Sequence, residues 1–103
     1  MAINTTVSEE HKTVTISISG QFNATMHREF RTAYKDSVEN PSAYKFIINL
    51  SKADYMDSSA LGMLLLLKEH VSNDSSGVVI AEANPTIRDI LEIAKFDSLF
   101  TLE

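Results

Sequence analysis

Val14, Ile16 and Ile18 alternate with Thr15, Ser17 and Ser19, and this period of two predicts a half-buried strand. A weaker alternation at Ile3, Thr5 and Val7 predicts a shorter, partly exposed strand, paired with it as a hairpin through the polar turn "SEEHK". Gly20 reads as the end of the second strand. The spacing then changes: Met26, Phe30, Ala33, Tyr34 and Val38 recur at helical intervals. Asn23 or Thr25 can cap that helix, and Asn40-Pro41 stops it. "YKFIINL" has a nearly continuous apolar centre, as expected of a third strand covered on both faces. A helix from about Ser58 to Ser72 follows, then a turn at "NDSSG" and a fourth strand, "VVIAEA", apolar throughout. Asn84 and Pro85 stand where a cap and a first helical residue belong, and Ile87, Ile90, Leu91 and Ala94 complete a third amphipathic helix. "LFTLE" predicts a last short strand.

This order implies right-handed crossovers and an α/β fold. The expected sheet is mixed and largely parallel, with about five strands, an N-terminal antiparallel hairpin and three accompanying helices. Functional groups in open sheets of this kind gather beyond the carboxyl ends of the parallel strands. Two stretches meet that description: the loop around Asn23, and "SKADYMDSS" after the third strand.

Composition narrows the classes. A chain of 103 residues is expected to be a single domain, 1–103, long enough to close one core. Hydrophobic content of 44% and charged content of 22% are those of an ordinary soluble protein. A net charge of -5 with no dense Lys/Arg cluster argues against nucleic acid or an anionic membrane as the partner. The lack of cysteine excludes disulfides and thiolate metal sites. "MAINTTVSEEHK" has no signal-peptide pattern, and "MLLLL" is too short to span a bilayer. The expectation is a cytoplasmic protein without direct membrane insertion.

Asp57-Ser58-Ser59 carries the candidate chemistry. Asp and Ser are common at helix starts, where they satisfy free backbone donors, and capping alone would account for them. The alternative is that a serine hydroxyl here accepts a phosphoryl group, which the donors at a helix start would hold. A phosphate of about −1.5 to −2 charge would crowd Asp57 and nearby Asp54, altering a partner surface without altering the fold. The following helix adds a second clue. Leu61, Leu64, Leu65 and the stem of Lys68 supply one apolar stripe, and Met63, Leu66 and Leu67 widen it. The excess means either deeper burial or a docking patch, to which Met56 and Met63 would lend adaptable packing.

Enzymatic readings find no constellation. Ser58 and Ser59 lack a G-x-S-x-G elbow. His11, His27 and His70 read as solvated surface residues outside any metal-ligand spacing. The three glycines form no phosphate loop. No catalytic residue, metal ligand or cofactor is assigned.

The chain resembles a STAS domain, the fold of bacterial anti-sigma factor antagonists, over essentially its whole length. "ISISGQFNATMHREF" is similar to the family's strand, loop and first helix. "FIINLSKADYMDSSALGMLLLL" resembles its central strand and signature loop, and "VVIAEANPTIRDILEIAKFDSLFTL" its closing strand, helix and strand. In many members the serine or threonine after the signature Asp is phosphorylated, and that position is Ser58, with Ser59 the second choice. The resemblance implies partner switching. The unphosphorylated protein binds a GHKL-type serine kinase that doubles as an anti-sigma factor, or a response-regulator kinase. Phosphorylation breaks that complex, and a PPM-type serine phosphatase restores it. The output is a sigma factor or another response such as biofilm control. Asn23, Met56, Asp57, Ser58, Ser59, Leu61 and Met63 are the expected partner contacts. The alternative role is a non-phosphorylated subunit of a membrane transport assembly that binds its ATPase. Three departures from the family stand out: Asn23 where Asp is frequent, Ala60 where Gly is frequent, and an absent or truncated C-terminal helix.

Overall fold

Ten residues of "TVTISISGQF" form one strand because every second side chain through Ile18 is apolar and buried. The computed structural model of the chain describes residues 3–71 and 77–103. Its elements are β1 (Ile3–Ser8), β2 (Thr13–Phe22), α1 (His27–Lys35), β3 (Lys45–Met56), α2 (Ser58–Val71), β4 (Val78–Ala81), α3 (Pro85–Ile93) and β5 (Thr101–Leu102). The sheet runs β1-β2-β3-β4-β5, antiparallel between β1 and β2 and parallel elsewhere. The expected mixed sheet, opening hairpin and three helices are all present. Most of the expected turn at 73–77 lies outside the described residues.

Register decides which side chains share a face. Val14 aligns with Phe46 and Val78, and Ile16 with Ile48 and Ile80. These residues are buried and join Phe30, Leu64, Leu67, Ile87 and Leu91 in one core. Strands that follow one another in spatial order, joined by right-handed crossovers, place every connecting helix on the same side. All three helices therefore contribute to that one core. The opposite face carries the aligned rows Thr15, Ile47, Val79 and Ser17, Asn49, Ala81, with no helix over it among the described residues. The expectation that β3 is covered on both faces is corrected here. Ile47 is only half-buried; its register partner Val79 is 2% exposed but stands outside the helix-covered core.

Several boundaries also move. Gly20 does not end β2: it adopts φ +82, and the register shifts between Ser17 and Ser19 and again between Gly20 and Gln21. Glycine takes this left-handed conformation without the steric penalty of a side chain. The strand bends there and continues to Phe22, opposite Met56. "SKADYM" is accordingly strand, not loop, because β2 supplies hydrogen bonds to β3 beyond the end of β4. The first helix is shorter than its apolar spacing suggests. A 3-10 turn at Ala24–Met26 precedes it, it ends at Lys35, and Val38 packs on the core from the loop beyond. Pro41 begins a further short 3-10 turn, Pro41–Ala43.

Candidate functional site

The ends of β2 and β3 place two loops side by side. Phe22 and Met56 are register partners, and the Asp57 N–H donates to the Phe22 carbonyl at 3.3 Å. Asn23 and Ser58, 35 positions apart in the chain, are thus each one residue from this contact. Parallel strands expose their last carbonyls at one end of the sheet, so the two following turns share that end.

Each loop is shaped by its own side chain. Asn23 Oδ1 accepts from the Thr25 N–H at 3.0 Å and from the Thr25 hydroxyl at 2.6 Å, which sets the 3-10 turn. Asp57 Oδ1 accepts from the Ala60 N–H at 3.0 Å, and the Asp57 carbonyl accepts from Leu61 N–H at 3.2 Å. Asp57 is therefore the cap of α2 and Ser58 its first residue. Ser58 and Ser59 are both exposed, and Ala60 is fully buried. The N–H groups of the first helical turn point toward the space above Ser58, with the positive end of a 14-residue helix behind them. Neither Asp54 nor Asp57 takes part in an ion pair among the described residues. Asp57 thus stands directly before Ser58, and exposed Asp54 three residues before that, at the same end of β3.

The expected contact surface is drawn differently from its sequence outline. Met56 is 1% exposed and Met63 2%, so neither offers area to a partner; both point into the core between sheet and helices. Leu61 is half-buried. α2 buries Ala60, Met63, Leu64, Leu67 and Val71, and leaves Leu65 and Leu66 exposed. The outward row is Ser58, Ser59, Gly62, Leu65, Leu66 and Glu69. The stripe expected to include Leu65 is rotated by about one residue, roughly 100° of helix. Tyr55, half-exposed at the end of β3, is a further aromatic at this rim. Only its place at a strand end, next to Asp54, marked it in the sequence.

His70 departs from the expected solvated position. Its ring lies against Tyr34 with centroids 5.1 Å apart, and its Nε2 is buried without a hydrogen-bond partner. Burial, assisted by the Lys35 charge, lowers its pKa. His11 and His27 are exposed. No group of three or more His, Cys, Asp or Glu residues among those described is arranged to hold a metal. None of the described helices is long and apolar enough to cross a membrane.

Comparison with known proteins agrees with this architecture. The STAS domain model matches residues 2–103. A STAS-domain containing protein of Pseudomonas aeruginosa is 39% identical over 102 residues, spanning 99% of each chain. A solved putative anti-sigma factor antagonist from Thermotoga maritima superposes with a TM-score of 0.81 at 16% identity, over 97% of this chain and 84% of that one. The anti-sigma factor antagonist SpoIIAA in its unphosphorylated form gives 0.73 at 18% identity, over 99% of this chain and 87% of that one. SpoIIAA of Bacillus in the phosphorylated form gives 0.64 at 17% identity, over 99% and 91%. The fold is that of anti-sigma factor antagonists, and a family match over nearly every residue goes beyond fold: the chain belongs to the STAS domain family.

Proposed function

We propose that this protein is a cytoplasmic partner-switching regulator of the anti-sigma factor antagonist type, with Ser58 as its phosphorylation switch. In this reading the unphosphorylated protein binds a GHKL-type serine kinase that is also an anti-sigma factor, or a response-regulator kinase. Phosphate on Ser58 releases that partner, and a PPM-type phosphatase resets the protein. The output, a sigma factor or biofilm control, is set by the partner.

The observation that carries the reading is the situation of Ser58. It is exposed, it opens α2 directly after the Asp57 cap, and it adjoins the Asn23 loop. A phosphate there would bring about −1.5 to −2 charge to a rim that already holds Asp54 and Asp57. A partner surface that docks on a hydroxyl then meets a desolvation cost and like-charge crowding, while the buried core beneath is untouched. SpoIIAA of Bacillus, whose fold this chain shares, has been solved in a phosphorylated form, and that analogy supports the reading.

Phosphopeptide mass spectrometry on the protein isolated from its own cells tests the assignment. Phosphate on Ser58, lost in Ser58→Ala, is the expected result. Phosphate confined to Ser59, or none under any growth condition, would overturn it.

A further inference from the structure

α1 and α2 lie against each other below the Ser58 rim, and the seam between them is not filled. His27, Arg31, Tyr34 and Lys35 form one wall and Leu66, Glu69 and His70 the other, around a groove of about 380 Å³. His27, Arg31 and Lys35 are spaced four residues apart and form a single exposed row along α1. Neither Arg31 nor Lys35 is in an ion pair among the described residues. Leu66 is 46% exposed at the opposite lip. On the same wall, the Nε2 of His70 is buried and has no hydrogen-bond partner.

We infer that this groove is a second docking element, and that its occupant is an acidic amphipathic helix of the protein partner, with an apolar side chain set against Leu66 and carboxylates against Arg31 and Lys35. Charge is the deciding argument. The chain carries -5 overall, so an acidic partner is repelled by most of its surface and attracted at Arg31 and Lys35, which outnumber the single carboxylate, Glu69, on the facing wall. Such a contrast orients a partner as well as holding it. An exposed leucine between two helices gives the apolar anchor that helix-in-groove recognition requires. Leu66 lies eight residues along α2 from Ser58, about 12 Å down the helix axis. The groove is therefore separate from the phosphate position but on the same helix. The inference deepens the partner-switching reading and takes from it only that a protein docks on this side of the molecule.

The test is a titration of the intact, isotope-labelled chain with a synthetic helix-forming peptide of about 15 residues bearing Glu and Leu on one face, a length at which helices begin to persist. Saturable amide shifts confined to residues 27–35 and 66–70, weakening as salt rises, are expected. Arg31→Glu combined with Lys35→Glu should reduce the affinity about tenfold, with an unchanged circular-dichroism spectrum. A Lys-for-Glu version of the peptide should give no saturable shifts. Equal binding of the two peptides, shifts centred on another surface, or full affinity in the charge-reversed chain would each overturn the inference. Ser58→Asp should bind the acidic peptide as the unmodified chain does. The groove therefore stands or falls on this titration, whatever mass spectrometry returns for Ser58.

Discussion

The Asp57 N–H donates to the Phe22 carbonyl at 3.3 Å, and this contact extends the β2–β3 pairing to the Asn23 loop and the start of α2. It joins two segments that are remote in sequence and makes them one surface. Its position at the ends of adjacent parallel strands explains why Ser58 does not stand alone. A partner that covered Ser58, as proposed, would meet the Asn23 loop as well, and Asp57, the cap that shapes the helix start, lies on that surface.

Capping and charge can be separated at Asp57. Asp57→Ala removes the acceptor for the Ala60 N–H and should destabilise the protein by about 1 kcal/mol. For a domain of this size that lowers the Tm by roughly 4–8 °C. Asp57→Asn keeps an acceptor and should recover most of the loss. If the two variants melt alike, the cap is not what stabilises this helix start.

Ser58→Asp should weaken binding of the proposed kinase partner, and Ser58→Ala should retain it. Both variants are expected to keep the circular-dichroism spectrum and melting curve of the unmodified chain, because Ser58 is exposed and its side chain supports nothing in the core. Isothermal titration with the purified partner reads the first effect and thermal melting the second. Equal affinity of both variants would remove charge as the switching agent.

Gly20 and Gly62 should respond to alanine with opposite signs. A Cβ on Gly62 would meet nothing within 4 Å, and the residue lies inside α2, so Gly62→Ala should stabilise by about 1 kcal/mol. A Cβ on Gly20 also finds open space, but φ is +82, and Gly20→Ala should destabilise by roughly 1–2 kcal/mol. Denaturant midpoints measure both. A stabilising effect at position 20 would refute the left-handed bend in β2.

His70 gives the stability a pH dependence of known sign. Burial and Lys35 lower its folded pKa beneath the ordinary value of 6.5, so the unfolded chain binds the proton first as pH falls. Its contribution is present above that ordinary value and is lost as the pH drops through the lowered folded one. His70→Phe keeps a ring against Tyr34 and cannot titrate. Its Tm profile below about pH 6.5 should be flatter than that of the unmodified chain. Parallel profiles would show that His70 does not titrate differently on folding.

Much of this was legible from local chemistry. The alternation of Val14, Ile16 and Ile18 marks a strand because side chains in a strand alternate between its two faces. Asn84 caps α3 through the Ile87 N–H with Pro85 following it, and capping geometry is a matter of three or four adjacent residues. Asp57 caps α2 for the same reason. The candidate serine was recognisable too, since its surroundings in sequence already contain the Asp and the helix that follows.

What the local pattern did not contain is whatever depends on a neighbour far along the chain. "MLLLL" is apolar at every position, so no periodicity within it tells Met63, Leu64 and Leu67, which are buried, from Leu65 and Leu66, which are not. The sheet and α1 made that choice by covering one side of α2. Met56 looked available because it stands beside the serines, yet β2 pairs with it and turns it inward. Ile47 looked doubly buried, but helices added by successive right-handed crossovers leave one face of the sheet open. His70 was drawn out of solvent by Tyr34, a residue on another helix. The sequence by itself therefore determined the order of the elements, the caps of α2 and α3 and the place of Ser58 at a helix start, because these are set by residues in contact along the chain. Only the tertiary structure decided which side chains are exposed, because exposure is set by what packs on the other side.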